Sequence, residues 1–134
     1  MADLTITAAN VIRGANAVIT RGTAGAAITA GQIIYADASD AFQLADADAF
    51  TAGVTEVFMA LNGAATGQPV TALKSGDVAL GAILTAGSAY YLSGTAGGIM
   101  PAADLTVGDE VVQLGLASST TTLKFRPTIP GVEL

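Results

Sequence analysis

Ile28-Thr29-Ala30-Gly31-Gln32-Ile33-Ile34-Tyr35 returns in altered form in the second half of the chain as Leu84-Thr85-Ala86-Gly87-Ser88-Ala89-Tyr90-Tyr91. In both, an apolar residue, Thr, any residue and Gly precede a short apolar run. Gly in fourth place supplies the positive φ that a type II turn or a bulge demands. The Thr hydroxyl can bond the backbone of the same turn. The pattern occurs twice more, at Phe50-Thr51-Ala52-Gly53 and Leu105-Thr106-Val107-Gly108, with nearly the same separation. With a one-residue gap the two halves set Ile34-Tyr35 against Tyr90-Tyr91, Leu44 against Ile99, Val57 against Val112 and Leu61 against Leu116. This reads as an internal duplication, each half giving related hairpins to one closed sheet or sandwich. Chance matching in an Ala/Gly/Thr-rich chain is the competing explanation, and two copies are too few for a solenoid.

The rest of the chain extends that reading. Apolar bursts stand at Ala17–Ile19, Ile33–Tyr35, Val57–Leu61, Val78–Leu80, Ala89–Leu92, Val111–Leu114 and Leu123–Phe125, with Gly, Asn or Asp nearby. This is strand length with the punctuation of an all-β domain. Sixteen glycines spread through the chain leave few windows for a long helix, since each costs about 1 kcal/mol relative to Ala in a helix interior. Only 45–52 (ADADAFTA) reads as a short helical turn. Ser75-Gly76-Asp77 reads as a hairpin turn between Val70–Leu73 and Val78–Leu80, and Gly94–Gly98 as another turn. The expected fold is all-β, a compact β-barrel or β-sandwich with an extended N-terminal arm. Residues 1–27 are the arm and first strand or strands, 28–126 the β domain and 127–134 a C-terminal tail. The tail carries Pro127 and Pro130, which exclude a central strand. Both ends read as arms that gain order against a partner, or else as frayed termini.

Composition removes whole classes of chemistry. The chain has 134 residues, within the span of one domain. Area scaling at this size gives roughly 6,400 Å² of folded surface, enough for a core built from small side chains. With no Cys and no His, thiol nucleophiles, disulfides, zinc fingers and His-dependent triads are excluded. The net charge is −6 and the five cations, Arg13, Arg21, Lys74, Lys124 and Arg126, are scattered. They form no basic patch of the kind that binds nucleic acid. Mean hydropathy is +0.59, yet no apolar run approaches the roughly 18 residues of a membrane span. The N-terminal residues lack the basic and apolar regions of a secretory signal, so none is expected. A soluble acidic protein with no membrane and no nucleic-acid partner is the expectation.

No constellation points to catalysis. Asp37, Asp40, Asp46 and Asp48 cluster, and a loop can fold such oxygens around Ca²⁺. Counting from Asp37, however, Phe42 and Asp48 stand where an EF-hand needs Gly and Glu, so the cluster reads first as a solvated turn. A glycosidase pair would sit among aromatic rings, and the chain has no Trp. Lys74 and Ser75 diverge on a strand, and Gly94–Gly98 lacks the Lys-Ser/Thr of a phosphate loop. The expectation is a protein that is not an enzyme, with no cofactor, no metal and no small-molecule substrate.

The side chains left for function are those that can anchor a partner. Tyr90 and Tyr91 are adjacent, so in a strand one faces the core and the other solvent or a partner; Phe58-Met59 poses the same question. Exposed aromatics on a small-residue surface make interface anchors. A core of Ala, Val and Thr also buries less apolar area than one of Leu and Phe, at about 25 cal/mol per Å², and docking makes up the shortfall. Leu4, Ile6, Val11, Ile12, Phe58, Tyr90 and Tyr91 are the candidate partner- or subunit-interface residues.

Met1–Thr7, Ala26–Gln32 with its Ile-Ile-Tyr, Ala60–Ala65 with Gly67–Val70, Leu84–Ser93 and the Gly97-Gly98-Ile99 turn together resemble the capsid decoration, or cement, proteins of tailed bacteriophages. The resemblance runs over nearly the whole chain. It implies a compact β-barrel or β-tulip-like domain, commonly a homotrimer, that binds the outside of the expanded capsid and clamps neighbouring major capsid subunits. Its place is then the outer surface of the virion, after synthesis in the host cytoplasm. It implies no catalytic residues. A phage fibre or adhesin module binding a host glycan, with a metal at Asp37–Asp48, is the alternative. A tail-tube or baseplate component is a weaker one.

Overall fold

The computed structural model describes residues 3–47, 50, 54, 56–105 and 107–129. The two turns that open the sequence argument both form. Gln32 N–H donates to Thr29 O and Ser88 N–H to Thr85 O, with Gly31 at φ 94° and Gly87 at φ 83°. Ala65–Gln68 and Thr95–Gly98 close in the same way around Gly67 (φ 90°) and Gly97 (φ 77°). These are type II turns, whose third residue needs positive φ. In all four a side chain takes the N–H of the first residue: Gln32 Oε1 for Thr29, Gln68 Oε1 for Ala65, the Tyr90 hydroxyl for Thr85 and Ser93 Oγ for Thr95. Each turn thereby stops its strand without leaving that donor unmet.

Between the turns run ten strands: β1 (Ile12–Arg13), β2 (Val18–Ala24), β3 (Ile33–Ala36), β4 (Ala41–Leu44), β5 (Phe58–Ala60), β6 (Pro69–Ala79), β7 (Ala89–Leu92), β8 (Ile99–Pro101), β9 (Gln113–Ala117) and β10 (Thr122–Thr128). Among the described residues the only helical pieces are 3₁₀ turns at Ala8–Asn10 and Ala102–Asp104. The fold is all-β. The described part of 45–52 forms no helix; Asp48, Ala49, Thr51 and Ala52 lie outside the described residues.

The strand order is β2-β4-β3-β5-β6-β10-β9-β7-β8, with β2 also pairing β6 and β1 pairing β6. The first five strands therefore close into a ring, and the remainder form an open sheet. Within this path β4-β3-β5-β6 is answered by β8-β7-β9-β10: the same connectivity occurs twice, mirrored about the β6–β10 pair. Strand β7 starts at Ala89 where β3 starts at Ile33, and β9 starts at Gln113 where β5 starts at Phe58. These separations match those between the paired sequence patterns.

Ring and sheet share β6. Its first part pairs β2 and β5, and its last part pairs β1 and β10. The crossover is Gly76, at φ 114°, where a Cβ would lie 2.7 Å from both Ala17 Cα and Asn16 O. A register shift in β2 at Val18/Ile19 marks the same corner. Ser75-Gly76-Asp77 is thus a bend inside one strand, which corrects the hairpin turn read there. Only Gly has the backbone freedom and the slimness to let the strand turn from one layer into the other.

Two apolar clusters follow. Ala24, Ile28, Ile34, Phe42, Phe58, Ala60, Ala64, Val70 and Ala72 fill the ring. Two Phe rings in edge-to-face contact at 5.6 Å take most of that space, and Ala on facing strands makes room for them. The larger cluster joins the outward side of the ring, at Ile33, Met59 and Leu73, to the inner face of the sheet, at Leu92, Leu114, Leu123 and Phe125. Ring strands β3 and β5 are thus buried on both faces, so Ile33-Ile34 and Phe58-Met59 are continuous apolar pairs. Sheet strand β10 alternates, as the buried Leu123 and Phe125 flanking exposed Lys124 show. The accessible surface is 6367 Å².

The N-terminal arm differs from the expectation of a segment ordered by a partner. Leu4 N–H donates to Ile99 O at 2.8 Å, and Leu4, Ile6 and Val11 pack on the large core. At the other end β10 continues through Pro127 to Thr128, past the boundary expected at 126. Beyond Phe125 it pairs β9 alone, across a register shift. Pro127 therefore sits where no ladder partner needs its missing N–H.

Candidate interaction surfaces

The expected anchors divide sharply once the sheet faces are known. Tyr90 is buried, and its hydroxyl accepts the Thr85 N–H at 2.8 Å; it is a core and turn-holding residue, not an interface anchor. Phe58 is buried inside the ring against Phe42 and is likewise withdrawn from the surface. Alternation turns Tyr91 outward beside Gln113 and Met100, where it is half-buried. Leu4, Ile6 and Val11 are half-buried against their own core. Ile12 alone among the seven is strongly exposed, at 63%.

Leu116 is an exposed apolar residue that the sequence pattern hides. By strict alternation from buried Leu114 it would point inward. A bulge opposite Tyr90/Tyr91, which leaves Leu114 without a register partner beside Gly115, shifts the phase. A Cβ on Gly115 would collide with the Lys124 carbonyl. Leu116 therefore emerges 50% exposed. It lies in a cross-strand row with Ala89, Lys124 and Asp77. Lys124 Nζ pairs with Asp77 Oδ1 at 3.8 Å, an exposed contact worth little by itself. Gln113, Gly115, Leu116, Lys124, Arg126 and Thr128 enclose a shallow depression of about 280 Å³. This outer face combines an exposed Leu with two of the five cations of an acidic chain.

A second groove, of about 370 Å³, lies where the N-terminal segment crosses the ring. Its floor is the cross-strand row Arg21, Thr71 and Leu61, and Val11, Ile12 and Arg13 form its wall. Among the described residues neither Arg13 nor Arg21 makes an ion pair, whereas Lys74 reaches Glu56 Oε2 at 3.5 Å.

Asp37 holds the β3–β4 turn. Asp37 Oδ1 accepts the N–H groups of Ser39 (2.8 Å) and Ala41 (3.0 Å), and Oδ2 accepts Gln43 Nε2 (3.0 Å). These bonds, that of Gln43 foremost, hold its carboxyl below its ordinary value. Asp40 occupies the left-handed region at φ 63°, a conformation Asp tolerates in turns. No group of three or more potential metal ligands occurs among the described residues; Asp48 is outside them.

No family model matches this chain, and no curated protein matches it.

Proposed function

We propose that this protein is a non-enzymatic structural component of a tailed-phage virion. It binds the outer surface of the mature capsid as a homotrimer and stabilises the lattice by clamping neighbouring major capsid subunits. The observation that carries the reading is the outer face of the second sheet. There Leu116, with Lys124 and Arg126 beside it, stands exposed on strands whose opposite sides are locked into the core. A rigid β face with one apolar residue and adjacent cations suits docking onto an extended acidic-apolar surface, because little conformational entropy is lost on contact. The sequence resemblance to decoration proteins supports the same conclusion. A lattice presents many identical sites, so modest affinity per copy is multiplied across a trimer by effective concentration. Binding only the mature lattice raises the free energy of any state in which that lattice opens.

Cosedimentation with expanded capsids and, separately, with unexpanded procapsids tests this, with light scattering on the free protein. Saturable binding to the expanded shell alone by a species of about three chains is the expected result. Leu116→Asp is expected to abolish it. Binding to neither shell overturns the reading.

A further inference from the structure

The ring is closed unevenly. Strand β2 pairs β6 from Val18 to Thr23, but on its other side it meets β4 only at Thr23 and Ala24. Ala24 N–H donates to Gln68 O, toward the β6 side, and Gly25 N–H donates to Phe42 O on the β4 side. Main-chain groups alternate sides along an antiparallel strand. Ile19 and Arg21 therefore direct their N–H and C=O groups to the open side, where no backbone partner reaches them among the described residues. Val18, at the start of this stretch, is 52% exposed. On the face of the ring, over β2 and β6, lies the groove lined by Arg13 and Arg21 and by the apolar Val11, Ile12 and Leu61.

We propose that this open edge of β2, with the arginines on the adjoining face, receives an extended segment of another protein chain by strand addition. On the face that carries Arg21 the segment presents carboxylates, toward Arg21 and Arg13, and apolar side chains, toward Ile12. The proposal goes beyond the capsid reading and does not depend on it. Main-chain bonds to Ile19 and Arg21 supply sequence-independent attachment, and side chains at every second position supply selectivity. Two guanidinium groups that meet no carboxylate among the described residues, on a chain of net charge −6, fix the sign of the ligand, since Arg pairs carboxylates bidentately. The opposing explanation is that charged residues simply guard an exposed strand edge against pairing. The two make opposite predictions for the same peptide.

The probe is a synthetic peptide of Glu-Thr-Val-Thr repeats, compared with its Lys-Thr-Val-Thr counterpart, each titrated into the full chain and followed by amide NMR. Binding of the Glu peptide is expected to shift the Ile19 and Arg21 amides and slow their hydrogen exchange, and to weaken with added salt. Arg13→Glu with Arg21→Glu is expected to weaken it at least tenfold. The neutral pair Arg13→Gln with Arg21→Gln gives a second reading should charge reversal disturb folding. Lys124→Glu, on the other face, is expected to leave it unchanged. Equal binding of the Lys peptide, no binding of either, or indifference to both Arg pairs overturns the proposal. So does light scattering that shows a second copy of this chain occupying the edge.

Discussion

The carboxylate of Asp3 accepts a 2.7 Å hydrogen bond from the hydroxyl of Ser93, a residue 90 positions away in the chain. Ser93 is 1% exposed, and its oxygen also accepts the Thr95 N–H. Together with Leu4 N–H on Ile99 O, this contact holds the N-terminal segment along the edge of β8. Asp3→Ala leaves a buried hydroxyl with its donor unmet, and such a loss costs about 1–3 kcal/mol. Thermal unfolding of Asp3→Ala, Ser93→Ala and the double variant checks it. The double variant is expected to be less destabilised than the sum of the singles, and strict additivity contradicts direct coupling.

Gly115→Ala is expected to be among the most damaging single-methyl changes in the chain. Its Cβ would run into the Lys124 carbonyl, and the β9–β10 ladder has to part to admit it. Strain of this kind costs on the order of 3 kcal/mol. Gly87→Ala is a useful contrast: it carries a positive φ of 83° but meets nothing within 4 Å, so it is expected to cost only about 1 kcal/mol. Denaturant midpoints of the two variants decide the order.

Phe58→Ala and Leu116→Ser separate core from surface. Phe58 fills the ring against Phe42, and its truncation is expected to cost about 3–5 kcal/mol. Leu116 faces solvent, so Leu116→Ser is expected to change stability by about 0.5 kcal/mol or less; under the proposed function it also weakens capsid binding. A large stability loss from Leu116→Ser contradicts the exposed placement.

Acid titration reports on the β3–β4 turn. The Asp37 carboxyl is held below its ordinary value of 3.8 by Gln43 and by the Ala41 and Ser39 N–H groups. A lowered folded value means the ionised form favours the native state. That contribution is complete well above pH 3.8 and is lost as pH falls through the folded value. The Ser39 and Ala41 amide resonances are expected to titrate with a midpoint below 3.8, and to lose that titration in Asp37→Asn. A midpoint at or above 3.8 contradicts the hydrogen-bond account.

Much of this architecture is legible in Thr29–Gln32 and Thr85–Ser88, because a type II turn places Gly by backbone sterics whatever the tertiary context. The near-constant separation of the paired patterns then locates β7 and β9 relative to β3 and β5. Gly76 misleads because a glycine between two apolar runs signals a bend without saying whether the strand reverses or continues. Partners far away in sequence, Asn16 and Ala17, decide that. Phe58 and Tyr90 are hard to place for a related reason. An adjacent apolar pair marks two buried faces at Phe58-Met59 but a buried and a half-buried face at Tyr90-Tyr91, and the local pattern is the same. Leu116 is hidden because one bulge reverses the alternation. Arg13 and Arg21 read only as scattered charges, since their shared groove exists only once the N-terminal segment crosses the ring.

The 11-residue length of β6 has a mechanical consequence. Four strands (β1, β2, β5 and β10) hydrogen-bond to it, two of them belonging to the ring and two to the open sheet. Tension on either layer is therefore carried as shear along one shared rod, not as peeling at a seam between two bodies. Neither layer retains a complete set of neighbours without that rod, so the two layers are expected to unfold together.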